Sequence, residues 1–561
     1  MSQHAPTSRP IPATTPAMSR RAFAKGAALA SGAAVLAGTA SVALASEAAD
    51  APAASTPTDD RHGTSARAAQ DDATQTLEAD VVVVGAGIAG LMAADHLAEQ
   101  GFNVYLLEKG VSAAVSNWAQ CGGPNACETK LQKQEDAWVS LDEMFQYMYG
   151  FSNTAVNAKL LKNVLAGTGP AIDRMMDLGI AMSLWGDPYG VGFRGRHFID
   201  AGPVDRTDPV IAHIEQNGGT VLFDAAAYAI LMEDSKAAGV QAEIEGVVTD
   251  VRAKAVVICT GGFLGNETMQ REHFNTPIFP LGNTVSDGTG IQMVLDAGGV
   301  LDRPFAVLGN ECGAVSPATE SWPFTPEWAN VNEHYGYWLF GGLYVDGTGS
   351  RFIDEGRVAA LPLAVGGEAI VRAGKAWVIM DSAYYEACQN EGIYAYLGEP
   401  AQWTAGAEAG YYNPTKENAE AHLQQAIDEG WGCKADTLEE IAEKFGLTNL
   451  TETVEAYNAA CEAGEDPEFY KDACFLKAVS EPPFYAFEYV PSAWGTNGGV
   501  KVDSGLRALD AENGVIAGLY VAGVDTGSMY TVPYYTNPGS SVGNAMGSGW
   551  FVAEQIAKDL A

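Results

Sequence analysis

Gly85-Ala86-Gly87-Ile88-Ala89-Gly90 places three glycines at a spacing that can grip a pyrophosphate. Glycine at 85 permits a tight turn, at 87 lets backbone approach the phosphates, and at 90 lets a helix press on a strand. Ile88 and Ala89 open that helix, whose N-terminus favours anions. Glu108, closing the next apolar run, is expected to accept hydrogen bonds from an adenosine ribose. Such a set binds a dinucleotide, and three later stretches bear on which one. Thr260-Gly261-Gly262 ends the run Ala255-Val256-Val257-Ile258, Asp525 follows Gly518 to Val524, and Ser541 and Val542 open a last helix. A cofactor touched from both ends of one domain is long, which suits FAD rather than NAD. Asp525 is expected on its ribityl or pyrophosphate portion. The Ser541 and Val542 amides are expected at the flavin C2 oxygen, where a helix N-terminus stabilises negative charge.

The elements that must position these residues follow from local pattern. Val81-Val82-Val83-Val84 is a β-branched run short enough for a buried parallel strand. Leu91 to Leu97 has helical apolar spacing, and Asn103 to Glu108 reads as a second strand ending in an acid. Strand, glycine turn, helix and strand in that order make a Rossmann-like α/β unit.

The chain has 561 residues, 47% hydrophobic and 18% charged, which excludes wholesale disorder, collagen and a coiled coil. Its net charge of −38 repels phosphate backbones and anionic lipid, so neither nucleic acid nor a membrane surface is an expected partner. Eight cysteines form no CxxC pair, no CxxCH and no zinc or ferredoxin spacing, so no metal is expected and any haem must belong to another chain. Ser19-Arg20-Arg21-Ala22-Phe23-Ala24-Lys25 precedes a weakly apolar stretch that ends at Ala43-Leu44-Ala45. Residues 1–45 read as a twin-arginine signal peptide for export to the periplasm or extracytoplasmic face of the cell membrane. A membrane anchor fits less well, because Ala and Gly contribute little transfer energy, so no span is expected in the mature chain. Residues 46–77 read as a disordered linker of Ala, Ser, Thr, Pro and Asp.

From Val81 to about Leu560 the chain resembles the FAD-dependent fumarate reductase and 3-oxosteroid dehydrogenase flavoproteins. The resemblance rests on VVVVGAGIAG, Glu108-Lys109, Asn117 with Gly122-Gly123-Pro124-Asn125-Ala126, AKAVVICTGGFLGN, Ser286-Asp287-Gly288-Thr289-Gly290, Arg351-Phe352 and Thr496-Asn497-Gly498-Gly499. It implies a Rossmann-like FAD-binding domain built from two distant segments, residues 78–300 and 482–561. An inserted α+β capping domain, residues 301–481, is implied between them, with the substrate lying over the isoalloxazine. It adds Lys109, Ser116, Asn117, Gly122, Gly123 and Asp287 to the expected cofactor contacts. The flavin is expected to be non-covalent, since no His lies around Cys121, where covalent members carry one.

The chain departs from the dicarboxylate-reducing branch. Tyr stands in Asp381-Ser382-Ala383-Tyr384-Tyr385 where that branch carries its proton-donating Arg, and its carboxylate-binding His and Arg fall at Gly495 and near Ser540. Two buried carboxylates without paired cations would cost several kcal/mol each. The last loop instead resembles the Tyr-x-x-Pro-Gly loop of the oxosteroid dehydrogenases. There Tyr535 and the Gly539 amide are expected to polarise a ketone as neutral donors. The expected reaction is reduction of a C=C bond conjugated to a carbonyl, on a steroid-like or aromatic substrate. Tyr385 and Tyr384 lead as proton donors, ahead of Tyr335, Tyr337 and Tyr344, and Glu355 with Arg357 is read as a proton relay. No second nicotinamide fingerprint is visible, so a separate cytochrome or quinol-linked donor is expected. Three alternatives stand: dehydrogenation beside a ketone, reduction of a substituted acrylate such as a cinnamate with Arg303, Arg351 or Arg357 as its cation, and a non-catalytic flavin carrier.

Overall fold

Four consecutive valines can be buried only in a strand covered on both faces, and Val81, Val82 and Val83 are wholly buried in the computed structural model of the chain. The structure describes residues 73–186, 192–302, 305–307, 314–315, 334, 336–338, 340–360, 367–389, 396–397, 416–532 and 539–561. The signal and most of the linker therefore lie outside the described residues.

In chain order the elements that position the site are β1 (Val81–Val84), α1 (Ile88–Glu99), β2 (Val104–Leu107), β3 (Met182–Leu184), β4 (His197–Ile199), β5 (Thr220–Leu222), β6 (Ala255–Ile258), β7 (Leu343–Asp346), β8 (Ala376–Met380), α2 (Ser382–Cys388), β9 (Phe484–Ala493), β10 (Arg507–Leu509), β11 (Val515–Val521) and α3 (Ser540–Leu560). One six-stranded sheet runs β10-β11-β6-β1-β2-β5. All its pairs are parallel except β10 with β11. Strands distant in sequence thus meet at its centre, with Ile258 beside both Val84 and Val521. A four-stranded sheet formed by Gln75–Glu78, Ala225–Glu233, Lys236–Ile244 and Val247–Arg252 completes this α/β layer.

Glycines let α3 approach the other helices. A Cβ on Gly547 would lie 2.2 Å from the Val164 carbonyl oxygen of helix Ala158–Asp177, and one on Gly549 would lie 2.1 Å from the Ala89 carbonyl of α1. The start of the last helix is thereby fixed against the first.

The second large sheet belongs to the cap: β8 pairs antiparallel with both β7 and β9. The division at 481/482 puts β9 in the dinucleotide segment, but its pairing corrects this, and the return to the first layer comes after Ala493. Aromatics fill this layer. Trp338 stacks on Tyr344 at 4.1 Å, Tyr337 on Phe487 at 5.0 Å and Tyr385 on Tyr485 at 3.9 Å. The cap's described aromatics are therefore core rather than a substrate wall.

Charge is buried beside them. Arg351 donates to Glu355 at 2.8 and 3.0 Å and to Asp466 at 2.9 and 3.1 Å. Lys471 lies 3.4 Å from Glu355 and donates to Tyr457 Oη and the Gly342 carbonyl. Burial pushes the Asp466 carboxyl up, but Arg351 more than offsets this and holds it at about 2. Removing one partner of such a set strands the others, at about 3–5 kcal/mol. Arg351→Ala is expected to lower stability by about that much, read as a shifted denaturant midpoint; a change under about 1 kcal/mol would show that Glu355 and Asp466 find other partners.

Candidate active site

The first glycine loop has the shape its spacing requires. Gly85 sits at φ +102°, and a Cβ there would lie 2.4 Å from the Cys259 carbonyl oxygen at the tip of β6. A Cβ on Gly90 would lie 1.9 Å from the Gly85 carbonyl, whereas one on Gly87 meets nothing within 4 Å. The open side of Gly87 is the cradle for a pyrophosphate. Gly87 provides no side-chain cap, and the first ladder bond runs from Leu91 N–H to the Gly87 carbonyl, so the Ile88, Ala89 and Gly90 amides precede the ladder. Glu108 shapes the same turn by accepting from Ala86 N at 2.7 Å and Gly110 N at 2.8 Å.

Several expected contacts use their side chains to tie loops together. Lys109 pairs with Asp287 at 3.0 Å, and Asp287 also accepts from Thr289 N and Oγ1. Ser116 donates to the Ala113 carbonyl. Asn117 donates to the Trp494 carbonyl and accepts from Asn283 N.

Asp525 is wholly buried, and its carboxylate accepts from Thr260 N, Thr260 Oγ1 (2.9 Å), Gly261 N (3.2 Å) and Gly262 N (2.7 Å). Four donors fill the acceptor capacity of a carboxylate. Within the protein, Asp525 positions the Thr260–Gly262 loop. Burial pushes its carboxyl up, and these donors pull it back.

The extended segment Gly122 to Asn125 lies between two other segments. On one side Ile199 N donates to the Gly122 carbonyl and His197 N to the Pro124 carbonyl. On the other Asn125 N donates to Gly539 O at 2.9 Å, and Gly539, at φ +81°, would put a Cβ 2.6 Å from the Gly123 oxygen. Gly539 is the N-cap of α3, and Gly543 N closes its first ladder bond, so the Ser541 and Val542 amides precede the ladder. Arg206 fixes the loop before Gly122 by donating to four carbonyls, of Trp118, Cys121, Ile199 and Ala201. His197 is buried: Nδ1–H donates to the Gly195 carbonyl, and Nε2 accepts from Thr129 Oγ1 at 2.8 Å. Burial pulls its pKa down to about 4.

Around the start of α3 lie polar side chains, of which Tyr530 and Asn544 had no role legible in the sequence. Ser541 Oγ donates to Asn497 Oδ1 at 3.3 Å, while Asn497 Nδ2, Asn544 Nδ2 and Tyr530 Oη are buried without partners. Asn544 is a helix-interior asparagine with no turn to make, which is the signal that could have marked it. Unpaired neutral donors beside free helix amides fit the carbonyl-rich edge of a flavin, and the cradle at Gly87 fits its diphosphate.

The cap residues expected to donate protons are placed elsewhere. Tyr384 Oη donates to the Phe340 carbonyl at 2.6 Å and Tyr385 Oη to the Ala419 carbonyl at 3.1 Å, both inside the aromatic core. Burial raises both phenols, Tyr385 to about 12. Tyr344 donates to the Trp338 carbonyl. Glu355 is held by Arg351 and Lys471, and Arg357 is exposed. Tyr535, Tyr335 and Arg303 lie outside the described residues. Among the described residues no group of three or more His, Cys, Asp or Glu could hold a metal, and no helix is long and apolar enough to cross a membrane.

The FAD binding domain family model matches residues 80–542. A vinyl phenol reductase from Lactiplantibacillus plantarum is 27% identical over 483 residues, covering 84% of this chain and 94% of that protein. A 3-oxosteroid 1-dehydrogenase from Mycolicibacterium smegmatis is 24% identical over 86% of this chain and 98% of that one. The open conformation of a flavocytochrome c3 fumarate reductase superposes with a TM-score of 0.59 at 21% identity, covering 87% of this chain and 79% of the other.

Two outcomes test this geometry. Asp525→Ala leaves the loop donors without their acceptor, and purified protein is expected to carry at least about tenfold less FAD by its visible-to-ultraviolet absorbance ratio; full occupancy would refute the positioning role. His197, depressed when folded, binds its proton more readily unfolded. Its contribution is therefore complete above about pH 6.5 and lost as pH falls toward 4, at up to about 1.4 kcal/mol per pH unit. Melting curves between pH 7.5 and 4 should show that loss and show less of it in His197→Asn.

Proposed function

The chain belongs to the FAD binding domain family and is an FAD-dependent oxidoreductase acting on C=C bonds, and on that premise we propose that it reduces a double bond conjugated to a carbonyl. The observation that carries this reading is the fate of the cations. Among the described residues Arg351 is bound into the buried Glu355–Asp466 cluster, Arg357 is exposed, and neither Gly495, Ser540 nor Tyr384 supplies a guanidinium or imidazole. A dicarboxylate would strand charge in such a pocket.

Bound FAD supplies a hydride at N5 for the β-carbon. The chain's part is to hold the substrate and receive the charge that develops. The Gly539 amide, fixed by its contact with Gly123 and Asn125, and the Tyr535 hydroxyl donate to the carbonyl oxygen as enolate charge grows there. The free amides at the start of α3 stabilise negative charge beside them. With Tyr384 and Tyr385 in the cap core, Tyr530 takes their place as the phenolic acid: burial pushes its hydroxyl up, and the neighbouring Ser541 and Asn544 side chains partly offset that push. A phenol is competent toward a strongly basic enolate carbon. Electrons come from a separate cytochrome or quinol-linked donor, and the twin-arginine sequence takes the protein out of the cytoplasm.

Anaerobic assays with reduced viologen and a panel of enones, steroids, stilbenes and hydroxycinnamates test this. Tyr535→Phe is expected to lower kcat by about 10²–10³. Brisk fumarate reduction would refute the reading, turnover only with an artificial acceptor would reverse its direction, and an unchanged Tyr535→Phe would leave a flavin carrier.

A further inference from the structure

We propose that Arg196 anchors a single carboxylate on the substrate, which deepens the reading above to α,β-unsaturated monocarboxylates of the aryl-acrylate kind. Arg196 precedes β4 and is half-buried, yet among the described residues no carboxylate pairs with it. Its Nε is buried without an acceptor. The guanidinium stacks over the Trp185 ring at 4.4 Å. Stacking uses the guanidinium face and leaves its in-plane N–H fork free, the geometry that receives a carboxylate bidentately.

Its place in the fold is what makes this a substrate group. Nη2 lies 2.5 Å from where a Cβ on Gly122 would stand, which sets the guanidinium directly against that backbone. Gly539 meets the next residue of the same segment, with its own Cβ position 2.6 Å from the Gly123 oxygen. Adjacent Cα atoms are about 3.8 Å apart, so the guanidinium and the Gly539 turn lie on the order of 10 Å from one another along one segment. A second, independent feature marks the spot. Asn125 pairs with Arg196 in an antiparallel bridge and is 4% exposed, yet neither its Oδ1 nor its Nδ2 has a partner. A buried carboxamide with nothing to bond costs about 1–3 kcal/mol, which a polar ligand relieves. Arg206, the other cation near Gly122, is committed to four carbonyls and is unavailable. One free guanidinium matches one carboxylate.

The test is equilibrium binding of non-reducible probes to the FAD-loaded protein. 3-Phenylpropionate and 3-phenylpropionamide are titrated while the flavin visible band is followed. Wild type is expected to prefer the acid by about 10- to 100-fold, the range for a hydrogen-bonded charge. Arg196→Gln is expected to erase that preference, and Arg196→Lys to keep part of it. Equal affinity of wild type for acid and amide overturns the proposal even if no variant folds, and so does a preference that survives Arg196→Gln. Arg196-dependent acid binding without reduction of any acrylate leaves this anchor standing and removes the proposed reaction. Reduction of neutral enones with no acid preference does the opposite.

Discussion

A buried carboxylate with no cation beside it among the described residues holds the cofactor loops in place. Asp525 stands just past β11, and the loop it grips stands just past β6, its neighbour in the sheet. An anion taken out of water must be satisfied by donors, and here every donor comes from Thr260, Gly261 and Gly262. The loop therefore cannot open without leaving the charge bare. The constraint propagates: Phe263 N donates to Thr496 Oγ1, Thr496 precedes Asn497, and Asn497 receives the Ser541 hydroxyl at the start of α3. Two segments far apart in sequence are thus bound into one rim by a chain of short polar contacts.

The cap is built on a different principle. Its sheet carries stacked aromatics on one side and a buried Arg–Glu–Asp–Lys cluster beside them, so side chains that look reactive in sequence serve as packing and ballast. Asp381 caps α2 by accepting from Tyr384 N, and this phase turns Tyr384, Tyr385 and Cys388 inward. A tyrosine pair after an apolar strand reads equally well as an acid or as core until the helix phase is known, and in this helix the phase makes it core.

Legibility divides along the same line. The Gly85–Gly90 turn, its flanking strand and helix and the acid at 108 were readable because each depends on neighbours within one βαβ unit. The place of Asp525 after a strand was readable, but the loop it grips was not, since two strands that meet in the sheet lie far apart in the chain. Asn497, Tyr530, Asn544 and Arg196 were not readable as a site at all. Nothing local distinguishes an asparagine that lacks a partner from one that has found it, and that distinction exists only once the Gly122–Asn125 segment, the β4 strand and α3 are brought together.

Charge accounting gives the site its character. The chain is strongly acidic, and its buried cations are mostly committed: Arg174 to Asp95 and Glu99, Arg351 to Glu355 and Asp466, Arg206 to backbone oxygens. Against that background the start of α3 offers only neutral donors, with a glycine cap and no acid in its first turn. Negative charge developing there is stabilised by dipoles, which act without bringing a counter-charge of their own. A second anion entering the same pocket would be repelled unless a cation came with the wall. On the proposal above, Arg196, held flat on Trp185 beside Gly122, supplies one such charge among the described residues, which balances one carboxylate but not two.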